Sequence, residues 1–180
     1  LNFNYLIKKI IQNQNKLKFV NLYREKNFFK SKLVDYQTQD ISNMKFKNDY
    51  FDIITCLSVI EHIGFDNSIY NYEKIEYLDK IDKTLYIKAL LELKRVLKPK
   101  KWLYLSFPFG KKMMFKNYQQ FDALDLENMV EIFNPKTYIV KFYKFEKFQW
   151  VETKKENCKN LEAIYKKNIG ISSTSVALLK

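Results

Sequence analysis

Apolar residues recur along this chain with two periods, and the changes of period mark its elements. Phe3, Leu6, Ile7, Ile10 and Ile11 follow an i, i+3, i+4 spacing, which predicts an amphipathic helix over Asn2–Gln14. Leu17–Leu22 and Leu33–Gln37 are short apolar runs and predict two strands, joined by a basic, aromatic connection at Lys26–Lys32. Ser42–Asp49 is polar and predicts a loop. Phe51–Leu57 is short, β-branched and almost wholly apolar, the pattern of a strand buried on both faces of a helix-covered sheet. The chain then turns polar at Glu61-His62 and breaks at Gly64. Asp66–Lys80 is polar and Tyr-rich without a firm period, which predicts a loop or an irregular helix.

In the second half, Leu85, Ala89, Leu90, Leu93, Val96 and Leu97 share one helical face, with Asp82 as the expected N-cap and Pro99 as the expected stop. Trp102–Phe107 predicts another buried strand, so strand, helix and strand form a right-handed βαβ unit. Pro108-Phe109-Gly110 closes that strand and opens a basic loop, Lys111–Lys116. Asp122–Phe133 predicts a second amphipathic helix with Leu126, Met129, Val130 and Phe133 inward. Thr137–Phe148 alternates aromatic residues with Lys and predicts one long strand with a wetter face. Trp150–Asn168 is polar with a helix expected around Leu161–Tyr165, and Ser175–Leu179 predicts a final strand. This alternation predicts an α/β fold. Ligands in such sheets sit beyond the carboxyl ends of the strands, so Leu57–His62 lies where a site is expected.

At 180 residues, 47% hydrophobic and 17% aromatic, the chain suits one domain over residues 1–180 with a real core, which excludes global disorder. No apolar run is long enough to cross a bilayer. The N-terminal segment mixes apolar residues with Lys, Asn and Gln rather than forming a signal peptide, and a cytoplasmic location is expected. The chain begins with Leu1, which leads to the expectation of a fragment. Cys56 and Cys158 lack metal-ligand spacing and read as two reduced thiols; with a single histidine, no metal site is expected. The formal net charge of +12 invites a nucleic-acid reading, but only Arg24 and Arg95 among the 32 basic residues are arginine. Lysine is spread along the chain rather than clustered, which argues against nucleic acid as the partner.

Two ordered motifs carry a resemblance. Phe51-Asp52-Ile53-Ile54-Thr55-Cys56-Leu57-Ser58-Val59-Ile60-Glu61-His62-Ile63 resembles the fourth-strand motif of class I S-adenosylmethionine-dependent methyltransferases, of the type 11-like kind. Leu90–Pro99 followed by Trp102–Pro108 resembles the next helix and strand of that family. The resemblance implies a Rossmann-like methyltransferase fold: a mostly parallel sheet with an antiparallel edge, formed by the last two strands. Leu17–Leu22, Leu33–Gln37 and Phe51–Leu57 would be its second, third and fourth strands. The first strand and its Gly-rich turn would then be missing, because the chain has only Gly64, Gly110 and Gly170 and no G-x-G. Where the family has two glycines after the proline, Lys100-Lys101 stand here. A sheet without that strand leads to the expectation of marginal stability.

What the resemblance implies for function is methyl transfer from S-adenosylmethionine to an acceptor such as a small molecule, a sugar or a lipid precursor. It assigns Asp40 and Ile41 to the adenine, Asn21 to the ribose, and Leu57 and Ser58 to the methionine portion of the cofactor. Glu61 and His62 are weak candidates for a general base; their plain alternative is a His62 packed at the junction and a Glu61 that caps or faces water. Phe107-Pro108-Phe109 could line an acceptor pocket or simply be core and turn. Two further readings stay open: a non-catalytic relic or partner subunit that has lost the turn, and a basic RNA-binding protein on a Rossmann-like scaffold.

Overall fold

A computed structural model of the chain describes residues 8–9, 12–13, 16–24, 31–67, 82–163 and 175–179. Most of the expected N-terminal helix, most of Lys26–Lys32 and most of Asp66–Lys80 lie outside the described residues; residues 8, 9 and 12, within the expected helix, are helical. The chain divides into two compact units, Leu1–Lys45 and Phe46–Lys180.

In the first unit, β1 (Leu17–Asn21) and β2 (Val34–Thr38) pair in parallel, from Leu17 opposite Val34 to Asn21 opposite Thr38. Side chains bind across the pair: Phe19 stacks on Tyr36 at 4.6 Å between centroids, and Lys18 bonds Asp35 at 2.7 Å. That bond, chiefly, holds the Asp35 carboxyl below its ordinary range. These are the second and third strands of the expected frame.

The second unit holds a five-stranded sheet in the order β3-β4-β9-β7-β8, built from β3 (Phe51–Leu57), β4 (Leu97–Pro108), β7 (Val140–Glu146), β8 (Gln149–Thr153) and β9 (Ser175–Leu179). β3 and β4 run parallel, while β9 inserts antiparallel between β4 and β7. In a small hairpin, β5 (Met113–Met114) falls in the expected basic loop and β6 (Gln119–Gln120) just beyond it. The order fits the expected frame, and the antiparallel part is wider than expected by one strand. Thr137–Phe148 does not continue as a single strand: the chain reverses at Lys147-Phe148 and returns as β8, at the start of the expected polar segment Trp150–Asn168. Among the described residues between β8 and β9 there is a 3-10 turn, Lys155–Asn157; residues 164–174, with part of the expected helix around Leu161–Tyr165, lie outside the described set.

Two α-helices lie among the described residues of this unit. α1 (Leu85–Val96) buries Tyr86, Ala89, Leu90, Leu93 and Val96, and it contacts β4 and α2. Its N-cap is Thr84 rather than Asp82; the Asp82 carboxylate instead accepts from the Thr84 amide at 2.9 Å and the Thr84 hydroxyl at 2.7 Å, a turn that precedes the helix. α2 (Ala123–Phe133) starts on a capping box, with Asp122 and Asp125 each accepting the other's amide, and ends on Asn134 in the left-handed region. Leu126 and Met129 are buried there, whereas Val130 and Phe133 are half-buried.

α1 ends at Val96, before Pro99. The proline sits instead in a bulge of β4, where the pairing steps from Phe51–Leu97 to Ile53–Trp102. Lys100 makes this turn at φ 62°, the backbone conformation that glycine would adopt without strain. Lys98 and Lys101 flank it and both reach Asp52, at 2.8 and 3.2 Å.

The expectation that β3 is buried on both faces is corrected. Cys56 is buried, as are Leu103 and Leu105 beside it in β4, but Ile53 and Leu57 are 61% and 53% exposed. Among the described residues β3 is an edge strand with β4 as its one partner, and the face bearing Ile53, Thr55 and Leu57 lies open. The start of the unit is clamped by Arg95, whose guanidinium bonds Glu92 at 2.6 and 2.7 Å and the Phe46 carbonyl and Asn48 Oδ1 at 2.8 Å. One of the two arginines is therefore structural.

Candidate functional site

The carboxyl end of β3 is shaped by a change of backbone conformation. Leu57 pairs with Ser106 of β4, and Ser58 then enters the left-handed region at φ 51°. Its amide donates to Ser106 twice, to the carbonyl at 3.0 Å and the hydroxyl at 3.2 Å. The chain leaves the sheet there and coils into a 3-10 turn, Ile60–His62. Leu57, Ser58 and Val59 stay exposed, while Ile60 and Glu61 turn inward. Gly64 follows at φ 84°, and a Cβ on it would stand 1.9 Å from the Asp82 carbonyl oxygen, so only glycine lets the chain pass.

Glu61 is 2% exposed, and its Oε2 has no hydrogen-bond partner among the described residues. Burial pushes its carboxyl up to about 8, so at neutral pH it holds its proton. It neither caps nor faces water. His62 is half-buried, and burial holds its imidazole below the ordinary range. Its Nδ1 lies 2.7 Å from the Asn117 carbonyl oxygen, which can only accept, so Nδ1 carries the hydrogen and Nε2 bears the lone pair of the neutral ring. Nε2 is 3.9 Å from Glu61 Oε1. With both groups neutralised by burial this contact is not an ion pair. The Tyr118 ring lies 5.9 Å from the imidazole and stacks on Phe115 at 4.4 Å. The Cys56 thiol is pushed up to about 12, chiefly by burial, and stays protonated.

The structure thus brings Leu57, Ser58, Glu61 and His62 to one strand end. Asp40, Ile41 and Asn21 lie in the other unit. Asp40, exposed beyond β2, accepts the Ser42 amide on Oδ1 at 2.8 Å; Ile41 follows it, half-buried; Asn21 ends β1, and its carbonyl accepts the Gln39 amide at 2.9 Å. Phe107 and Phe109 are fully buried, packed on Phe121 at 5.3 Å and on Phe142 at 4.9 Å, with Pro108 buried between them; they are core. Among the described residues no three His, Cys, Asp or Glu side chains gather to hold a metal. Sequence reasoning missed Asn117, Tyr118 and Ser106. They stand about fifty residues from the groups they orient, and no local pattern marks them.

No curated protein matches the sequence. Among solved structures, the chain is similar to 1,6-didemethyltoxoflavin-N1-methyltransferase of Burkholderia thailandensis, solved with 1,6-didemethyltoxoflavin and S-adenosylhomocysteine bound. The TM-score is 0.59 at 10% identity, over 96% of this chain and 64% of that one. It is similar also to a SAM-dependent methyltransferase of Archaeoglobus fulgidus, with TM-score 0.59 at 9% identity, over 98% of this chain and 80% of that one. The chain therefore has the class I S-adenosylmethionine-dependent methyltransferase fold and spans less than two thirds of the Burkholderia enzyme. A family model matches residues 8–170, and by that match the chain belongs to DUF268, the family described as "Caenorhabditis protein of unknown function".

Proposed function

We propose that this chain binds S-adenosylmethionine and serves methyl transfer to a small-molecule, sugar or lipid-precursor acceptor. The observation that carries the reading is the end of β3. Exposed Leu57 and Ser58 stand beside a buried neutral acid and an oriented histidine, in a fold shared with two S-adenosylmethionine-dependent methyltransferases. The fit is chemical: an open apolar side chain and a hydroxyl suit the aliphatic and polar parts of a methionine moiety.

The cofactor supplies an electrophilic methyl group, so the protein's task is to bind, orient and manage a proton. Leu57 and Ser58 would hold the methionine portion. By the family resemblance, Asp40 would accept from the adenine amino group, Ile41 would pack on the ring and Asn21 would bond the ribose. Neutral His62 takes the acceptor's proton on Nε2, because Asn117 keeps the hydrogen on Nδ1. Glu61, protonated at neutral pH, adds no charge beside that nitrogen.

Calorimetric titration with S-adenosylhomocysteine tests the reading. Micromolar binding is expected, weakened tenfold or more by Asp40→Ala, the usual size for a charged hydrogen bond. A folded chain that binds nothing sinks it and favours the non-catalytic reading, which draws on the lack of any G-x-G in these 180 residues.

A further inference from the structure

The turn between β7 and β8 is built from two residues in the left-handed region, Lys147 at φ 46° and Phe148 at φ 64°. Two-residue hairpin turns of this form strongly favour Asn-Gly, because both positions need positive φ. A bulky aromatic residue there is an outlier that strains the backbone. Packing does not explain it, since Phe148 is 84% exposed. Strain retained without a packing return points to a use outside the fold.

The surroundings indicate the use. Trp150 and Val151, on the returning strand, are 43% and 39% exposed, and Trp150 meets Phe145 edge-on at 5.3 Å. The nearby carboxylates are already held: Glu146 by Lys144 at 2.6 Å and Glu152 by Lys141 at 3.0 Å. Lys147 makes no salt bridge among the described residues, although its charge acts on Glu146, which Lys144 already holds. The tip is thus an exposed aromatic turn with a lysine beside it, on a chain of net charge +12.

We propose that this hairpin tip docks into the headgroup region of an anionic lipid surface, with Phe148 inserted, Trp150 at the boundary and Lys147 on the anionic headgroups. Trp and Lys suit such a boundary because each joins an apolar body to a polar end. A second copy is disfavoured by repulsion between two chains of net charge +12. Nucleic acid is disfavoured by the scarcity of arginine. A protein partner would need a pocket shaped to the turn, whereas a lipid interface yields to it.

The test is sedimentation of the 180-residue chain with vesicles of phosphatidylcholine alone and of phosphatidylcholine with phosphatidylserine, at low and high salt. The chain is expected to bind the anionic vesicles and to weaken as salt screens the lysines. Phe148→Gly should cut that binding about tenfold, the loss of one inserted aromatic side chain. The same variant should melt at the same temperature or higher, since glycine relieves the turn, so lost binding would not reflect unfolding. Lys147→Glu should also weaken binding, about fivefold or more. Equal binding to both vesicle types, no binding to either, or unchanged binding by Phe148→Gly would each overturn the proposal.

Discussion

The end of β3 and the tip of the β7–β8 hairpin break the same rule in opposite directions. At the first, a carboxyl group is 2% exposed with one oxygen unsatisfied; at the second, an aromatic ring is 84% exposed on a left-handed backbone. Ordinary folding puts apolar groups inside and leaves unpaired acids in water. Each exception costs stability, yet by different physics. Glu61 costs through desolvation and escapes part of it by keeping its proton. Phe148 costs through backbone sterics and has no such escape. The first cost therefore depends on pH and the second does not.

The largest expected effect comes from a residue that obeys the rule. Leu90 is fully buried on α1, and Leu90→Ala should lose about 2–5 kcal/mol in denaturant melts. A loss under about 1 kcal/mol would mean that this core is loose, and the comparison would lose its baseline.

Glu61 comes next. Its native pKa of about 8 exceeds the ordinary 4.5, so between those values the folded chain keeps a proton that the unfolded chain releases. Stability must then fall as pH rises through that window and level off above it, by on the order of 3 kcal/mol at pH 7. His62, held below its ordinary 6.5, acts in the reverse sense as pH falls below that value. Glu61→Gln should flatten the falling limb in melts taken from pH 5 to pH 9. A wild-type profile already flat there would show that Glu61 is ionised in the folded state.

The backbone exceptions are smaller. Phe148→Gly should gain about 1 kcal/mol or less at every pH, the relief of one left-handed residue offset by glycine's looser unfolded chain. Lys100→Gly should gain a similar or smaller amount, about 0.5 kcal/mol, because the bulge at φ 62° already takes the glycine conformation. Destabilisation by either variant would mean that the lysine or phenylalanine side chain packs in a way that outweighs its strain.

Much of the fold was legible because it rests on local rules. α2 begins one residue after the expected Asp122, which caps it as its side-chain chemistry predicts. α1 keeps the expected apolar face, and β1, β2, β3 and β9 fall within a residue or so of their apolar runs. The β7–β8 reversal was not legible. Lys147-Phe148 contains none of the turn residues, and the aromatic–lysine alternation runs straight through it. The capping role given to Asp82 missed by two residues, since an aspartate before a helix can make an Asx turn as readily as a cap.

The candidate site divides the same way. Motif and strand-end position marked Leu57, Ser58, Glu61 and His62 as neighbours, and the chain itself ensures that because they are close in sequence. What it left undetermined was their state. Whether Glu61 meets water or core depends on which way a 3-10 turn rolls after Ser58. Which nitrogen of His62 carries the hydrogen depends on a carbonyl 55 residues away. The exposure of Ile53 and Leu57 depends on which strands flank β3. Periodicity and side-chain chemistry therefore marked most of the elements and the strand end that bears the candidate site. Burial, tautomer and edge were decided only by the tertiary structure, because each is set by residues far along the chain that no local spacing encodes.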